Sequence, residues 1–322
     1  MSTEAAARRL VLGTRGSELA MFQARLVAWH LQNRNVDLSV KIEKISTSGD
    51  RILESPLAKI GEKGLFVKEI ENALIRGDID LAVHSAKDLP TALPEGLTIG
   101  AFSLRDDPRD VFIGKAGSLR QIPAGGRVGT SSLRRRSQLL LLRPDLEIVD
   151  IRGNIDTRIR KIEELGLEGA ILAAAGVRRL EKKEHIGFYF STEEIVPAVG
   201  QGVIAIEVRR DDSFTRRLVQ PENDEAAAIA VRAERALMKQ LQGGCQVPIG
   251  AYGVVDSGGL RLDAYLGSIG GSRSVRDSIE GPSGSAEELG ETLARQMEKN
   301  GGEEILAEVR AAQEGEGTGY WT

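Results

Sequence analysis

The sequence has a single cysteine, Cys245, so no internal disulfide can form. That usage suits a reducing compartment. Its three histidines, His30, His84 and His185, lie far apart, and no metal-ligand spacing exists, so no metal is expected. No run of about eighteen apolar residues exists, and no membrane span is expected. The stretch from Met1 to Arg9 is polar and lacks an apolar h-region, so the expectation is an unexported, cytoplasmic protein. A Gly-x-x-x-x-Gly-Lys-Ser/Thr loop is missing too, and Gly200-Gln201-Gly202 is too short for a dinucleotide fingerprint.

At 322 residues the chain is long for one core, so two or three domains are expected. Net charge is −4, which argues against the broad basic surface of a nucleic-acid binder. The basic residues are concentrated locally. From Arg105 to Arg179 there are thirteen Arg and two Lys against ten acidic residues. An acidic total with an arginine-rich middle points to a small polyanionic ligand rather than a long one.

Strands and helices alternate along most of the chain. Leu10 to Gly13 reads as a strand, and Ser17 as the N-cap of a helix to about Gln32, with Leu19, Phe22, Leu26 and Trp29 on its core face. Val36 to Ile45 reads as a strand, Ser46 to Gly64 as a long loop able to cover a site, and Phe66, Ile70, Ala73 and Leu74 as a helix ended by Gly77. Leu97 to Phe102 is a strand, and the charged Arg105 to Asp110 a domain boundary. Beyond it the pattern predicts helices over 133–142, 155–165 and 224–241, and strands over 147–151, 170–174 and 203–208. Residues 251–255 and 260–266 read as an antiparallel pair, followed by helices over 286–299 and 303–312 and a loose tail. This is α/β, with mainly parallel sheets expected, then a smaller C-terminal α+β unit.

Three places could carry chemistry. In the segment Asp80 to Pro90, the apolar Leu81-Ala82-Val83 reads as a buried strand, and His84, Lys87 and Asp88 crowd the point where it emerges. Ligands of open α/β sheets bind at that end, although a solvated Lys-Asp turn has the same sequence. Thr130-Ser131-Ser132-Leu133-Arg134-Arg135-Arg136 sets hydroxyls and guanidinium groups at a helix start. Cations there oppose the helix dipole and ask for an anion. Arg152-Gly153-Asn154 with Arg158, Arg178-Arg179, and Arg15 beside Ser17 repeat the arrangement. The alternative is a set of exposed surface arginines. Finally, Cys245 stands in Gly243-Gly244-Cys245-Gln246-Val247-Pro248, as a small buried hydrophobe or a thiol that carries a group covalently.

The segments His84 to Pro90, Gly129 to Arg135, Arg152-Gly153-Asn154, Pro197 to Gly202 and Gly243 to Gly250 resemble the porphobilinogen deaminase (hydroxymethylbilane synthase) family, with similarity from about Leu10 into the C-terminal part. The resemblance implies two periplasmic-binding-protein-like α/β domains and a smaller C-terminal α+β domain. Their expected bounds are 8–103 with 199–220, 104–198, and 221–313, with a flexible tail at 314–322. It implies a transferase that joins four porphobilinogen molecules head to tail and releases ammonia, acting as a monomer. Asp88 matches the catalytic carboxylate, and Cys245 the thiol that carries a dipyrromethane cofactor. Lys87, Ser85, Thr130, Ser131, Ser132, Arg134, Arg135 and Arg158 are implied cofactor contacts. Arg15, Ser17, Gln23, Arg152, Gly153 and Arg179 are implied substrate contacts. Ala86 stands where the family pattern leads one to expect Met or Leu. Two readings from other classes remain at this point: a two-lobed anion-binding module, which needs neither Asp88 nor Cys245, and a nucleic-acid binder using Arg134-Arg135-Arg136.

Overall fold

The computed structural model describes residues 8–51, 67–244 and 246–315. Cys245, most of the 46–64 loop and the end of the tail therefore lie outside the described residues. The chain divides into two compact units.

The first unit comprises the described residues of 8–105 together with 203–228. Its elements are β1 (Arg8–Thr14), α1 (Glu18–Arg34), β2 (Leu38–Lys44), the single turn α2 (Ser48–Arg51), α3 (Lys68–Arg76), β3 (Leu81–Ser85) and β4 (Leu97–Phe102). The second unit begins with β5 (Asp110–Gly114), β6 (Arg127–Gly129), α4 (Leu133–Leu142), β7 (Glu147–Val149), α5 (Ile155–Glu164), β8 (Gly169–Ala173), α6 (Ala174–Arg179) and β9 (Ile186–Tyr189). The chain then supplies β10 (Ile204–Arg209) and α7 (Ser213–Val219) to the first unit. It continues through α8 (Glu225–Gln240), β11 (Ile249–Asp256), β12 (Gly259–Gly267), β13 (Ser274–Gly281), α9 (Ala286–Met297) and α10 (Glu303–Gly315).

The sheet of the first unit has the order β2-β1-β3-β10-β4. β1 runs parallel to β2 and β3, while β10 is antiparallel to β3 and β4. In β3 the run Leu81-Ala82-Val83-His84 is buried throughout, as an apolar strand covered on both faces must be. One face packs on α1, where Ala24, Val27, Ala28 and Leu31 meet Leu10, Leu12, Leu81 and Val83. This corrects the expected core face of α1 in part: Leu26 does pack against this cluster, but two of its companions do not. Phe22 and Trp29 remain 37% and 61% exposed. The small Ala24 and Ala28 let the helix lie close on the sheet, which turns the bulkier stripe outward. The other face is covered by α3 through Ile70, Ala73 and Leu74, against Ile79, Ala82 and Leu97. Gly77 ends α3 at φ +79°, a left-handed C-cap that its missing Cβ permits, with its N–H turned to the Ala73 and Leu74 carbonyls.

The first sheet of the second unit repeats the pattern, with order β7-β6-β8-β5-β9. β6 is parallel to β7 and β8, and β5 is antiparallel to β8 and β9. Each five-stranded sheet is thus half antiparallel, not mainly parallel. In each, the reversed inner strand, β10 or β5, follows directly on a passage of the chain from one unit to the other. The same unit holds the meander β11-β12-β13, covered by α8, α9 and α10. The Ser137 hydroxyl of α4 ties it to the first sheet's layer, 2.7 Å from the Tyr265 hydroxyl and 2.6 Å from the Ser268 carbonyl.

Candidate functional site

In the first unit β1 and β3 are adjacent and parallel, so their carboxyl ends open on the same edge of the sheet. After β1, Ser17 caps α1, its Oγ accepting the Ala20 N–H at 3.3 Å. After β3, one 3₁₀ turn over Ala86–Asp88 leads to Pro90. These two turns bring Arg15, Ser17, Gln23, His84, Ser85 and Asp88 into the lining of one cavity. Gln23 is buried on α1, and its Nε2 donates to the Ser85 hydroxyl at 3.0 Å. The Asp88 side chain is exposed, and Lys87 is half-buried in the same turn. A guanidinium group, a carboxylate, two hydroxyls and an amide therefore converge on one concave surface. Such a surface can hold a carboxylate of a ligand and face a developing positive charge on it.

In the second unit the carboxyl ends of β6, β7 and β8 carry the other groups. Ser132 caps α4, and the Thr130 hydroxyl accepts the Ser132 N–H at 3.2 Å. Ser131 donates to the Ile151 carbonyl at 2.6 Å, which ties this turn to the one after β7. There Gly153 has φ +113°, and a Cβ on it would lie 2.6 Å from the Thr157 side chain, so the position requires glycine. Asn154 caps α5 by accepting the Thr157 N–H at 2.9 Å. Arg158 donates from Nε to the Gly153 carbonyl at 2.9 Å, beside half-buried Arg152.

Arg134 and Arg135 are placed differently from the expectation that both face ligand carboxylates. Each is only 5% exposed, and both engage Asp110 at the start of β5. Arg134 Nη2 lies 2.8 Å from Asp110 Oδ2. Arg135 donates to Oδ1 from Nε at 3.0 Å and Nη2 at 2.8 Å, and Gln201 adds a bond at 3.0 Å. Their remaining forks reach the Val196 and Ile171 carbonyls. Burial pushes the Asp110 carboxyl up, but the two guanidinium charges more than offset it and hold it at about 2. Two cations on one anion leave one buried positive charge over. Arg179 likewise engages the chain itself, donating to the Gly202 carbonyl at 2.7 Å with Nε 3.6 Å from Asp106.

Asp110 was missed because it stands among the connector charges Arg105 to Asp110, where nothing marks it as buried. A charge inside an apolar run was the available signal for another missed residue, Glu207, in Val203-Ile204-Ala205-Ile206-Glu207-Val208. Glu234, fully buried on α8, accepts the Gly200 and Gly253 N–H groups at 2.7 and 2.8 Å and so fixes the Gly-Gln-Gly turn against β11. Among the described residues no group of three or more His, Cys, Asp or Glu could hold a metal ion, and no helix is long and apolar enough to cross a membrane.

Residues 10–217 match the family model described as "Porphobilinogen deaminase, dipyromethane cofactor binding domain", and residues 228–299 match "Porphobilinogen deaminase, C-terminal domain". Porphobilinogen deaminase of Geotalea uraniireducens is 49% identical over 304 residues, covering 94% of this chain and 96% of that one. That of Pelobacter propionicus is 49% identical over 302 residues, covering 94% and 97%. Among solved structures, a TRAP periplasmic solute binding protein from Desulfovibrio salexigens overlays with TM-score 0.45 at 11% identity, covering 98% of each chain. An overlay at that level adds nothing to the fold, which rests on the sheet topology. With both domain models matched in order and near-half identity along almost the whole chain, the chain belongs to the porphobilinogen deaminase family.

Proposed function

We propose that this protein is a transferase that condenses four porphobilinogen molecules head to tail on a dipyrromethane cofactor attached to Cys245, releasing one ammonia per unit, and that water then cleaves the chain from the cofactor as the linear tetrapyrrole hydroxymethylbilane. The observation that carries the reading is the cavity in which Asp88 and Arg15 share one lining, in a member of this family. Monomeric, cytoplasmic action without nucleic acid belongs to the same proposal. So does the division into 8–103 with 199–220, 104–198 and 221–313, which the two five-stranded sheets and the meander support.

A dipyrromethane bears acetate and propionate groups, and the donor set of the second unit suits them. The Arg134-Arg135-Asp110 cluster carries an excess positive charge, and the neighbouring Arg136 Nε is buried with no partner among the described residues. Thr130, Ser131, Ser132 and Arg158, with Ser85 and Lys87, are assigned to contacts with the cofactor. Arg134 and Arg135, held on Asp110, are assigned to it through their excess charge and the turn they fix rather than through direct forks. When bound, that group supplies an electron-rich pyrrole as the acceptor for chain growth. The protein's own residues do the rest. Arg15 and Arg152 neutralise substrate carboxylates, Gly153 shapes the turn that follows Arg152, and Arg179, which also holds the Gly202 carbonyl, is a further substrate contact. Ser17 and the Gln23–Ser85 pair orient the substrate. The Asp88 carboxylate offsets the positive charge left on the substrate methylene when ammonia departs, and helps carry away the ring proton.

The intact mass of the purified protein tests this reading. It is expected to exceed the sequence mass by two linked pyrrole units, and Cys245→Ser is expected to remove the excess and the activity. Wild-type protein that turns over porphobilinogen at its bare sequence mass would overturn the assignment. Protein of bare mass that binds porphobilinogen without turning it over would instead be an anion-binding module.

A further inference from the structure

We infer that Glu71, His84 and Glu207 form a buried proton store behind the Asp88 cavity, and that the charge on this store sets the pH response of the reaction. The inference rests on the transferase reading above for its link to turnover.

Three ionisable side chains are buried together where an apolar core would be expected. His84 is on β3 and Glu207 on the neighbouring β10, with Ala205 opposite His84 and Glu207 opposite Ala82 in the ladder. Alternation along the strands puts His84, Ala82 and Glu207 on one face, which α3 covers, and Glu71 is a buried residue of α3. His84 Nε2 lies 3.1 Å from Glu207 Oε2. The same imidazole lines the cavity with Asp88 and Arg15, so it touches both the cavity and the buried carboxyl.

Glu71 Oε1 and Glu207 Oε1 are both buried with no hydrogen-bond partner among the described residues. Two ionised carboxylates with bare oxygens in one apolar layer repel each other and lack solvation. A proton on one of them removes a charge and creates a donor. The groups that face Glu71 agree on which takes it. β3 presents His84 and β10 presents Glu207. β4 has no ionisable residue, and the arginines of β1 stand at its exposed start. Arg209, farther along β10, is engaged with the Leu74 and Ile79 carbonyls and Asp80. On α3 itself Glu69 accepts from Ser48, and Lys68 is exposed. Burial raises the Glu71 carboxyl first, the Glu207 charge raises it further, and His84 opposes them, leaving it at about 7.

Near neutral pH the store therefore exchanges one proton with solvent. Its ionised form adds a negative charge behind the place where the substrate methylene becomes a cation, and that form is the faster one. Glu71→Gln keeps the shape and fixes the neutral form.

The first readout needs no turnover. In infrared difference spectra of the cofactor-loaded protein, recorded on either side of neutral pH without substrate, the carbonyl stretch of a neutral carboxylic acid is expected on the acid side and is lost on the alkaline side. Glu71→Gln is expected to abolish this difference band. Glu207→Gln, which removes the charge that raises Glu71, is expected to move the transition to lower pH, and it serves if Glu71→Gln folds poorly. The second readout is kcat against pH. Wild type is expected to accelerate as pH rises through about 7, and Glu71→Gln to stay near the slow acid-side value, about tenfold below wild type at alkaline pH. A difference band unchanged in both variants, or a Glu71→Gln pH profile superimposable on wild type, overturns the inference. Absence of turnover in loaded wild type would fail the transferase reading instead, and leaves the infrared result to decide the store.

Discussion

Asp88→Asn protein that still carries its cofactor is expected to turn over on the order of 10²–10⁴ more slowly than wild type, the range in which a positioned acid or base group contributes. The argument is one of charge. Loss of ammonia leaves a cationic methylene on the substrate ring, and attack on it moves the positive charge to the new chain end until a proton departs. Asp88 is the exposed carboxylate of the cavity that Arg15 also lines, held at a strand end by the turn Ala86–Asp88. Asparagine keeps the size and hydrogen-bonding capacity of the group and removes only the charge. Asp88→Glu keeps the charge but misplaces it by one methylene, so it is expected to retain measurable activity above that of Asp88→Asn. Cys245 is intact in both, so the mass increment is expected to persist. The deciding comparison is single-turnover and steady-state rates on protein whose mass confirms the cofactor. Near wild-type rates for such Asp88→Asn protein would remove the carboxylate from the mechanism.

The turns that form these sites were legible in the sequence because their signals are local. Ser17 before an apolar-periodic stretch, the apolar run ahead of His84, and Gly77 after Leu74 each state a cap, a buried strand or a stop within a few residues, and the structure has them there. The partners of the arginines were not legible in the same way. A helix start bearing Arg134 and Arg135 asks for an anion, but nothing local says whether that anion is a ligand or a side chain. The structure supplies Asp110, 25 positions before Arg135. The face of α1 was only partly legible, with Leu26 on the core but Phe22 and Trp29 exposed, for a related reason. Two stripes have helical spacing, and the alanine stripe won because the sheet beneath it rewards close approach over bulk. The strands β5, β9 and β13 were missed. β5 begins inside a charged connector, and β13, Ser274–Gly281, is polar on its open face and buries little. The reversed strands β5 and β10 depend on where the chain passes between units, which strand-by-strand periodicity does not encode.

Asp110→Asn is expected to cost on the order of 3–5 kcal/mol of stability, the penalty for breaking a buried charge network by removing one member. Asp110 is fully buried, and Arg134 and Arg135 are nearly so. Without the carboxylate, two guanidinium groups remain in the interior with only amide and carbonyl oxygens to face. Neither can shed its proton to escape the cost. The loss should appear as a lower denaturant midpoint at unchanged m-value. The pH dependence follows from the depressed carboxyl of Asp110, from 3.8 to about 2 in the folded protein. A carboxylate shifted downward stabilises the fold above its unfolded value, and that contribution, about 2 kcal/mol, is lost as pH falls through about 2. Asp110→Asn should therefore flatten this part of the acid limb while lowering stability at neutral pH. Function should suffer as well, because the same carboxylate fixes the first turn of α4, where Thr130, Ser131 and Ser132 present their hydroxyls. Arg134→Met in the Asp110→Asn background removes one stranded cation and is expected to recover part of the lost stability. Such recovery distinguishes stranded charge from simple misfit of the amide. A midpoint for Asp110→Asn within about 1 kcal/mol of wild type would mean that water or solvent ions reach the two arginines, and that the cluster is not the closed network described above.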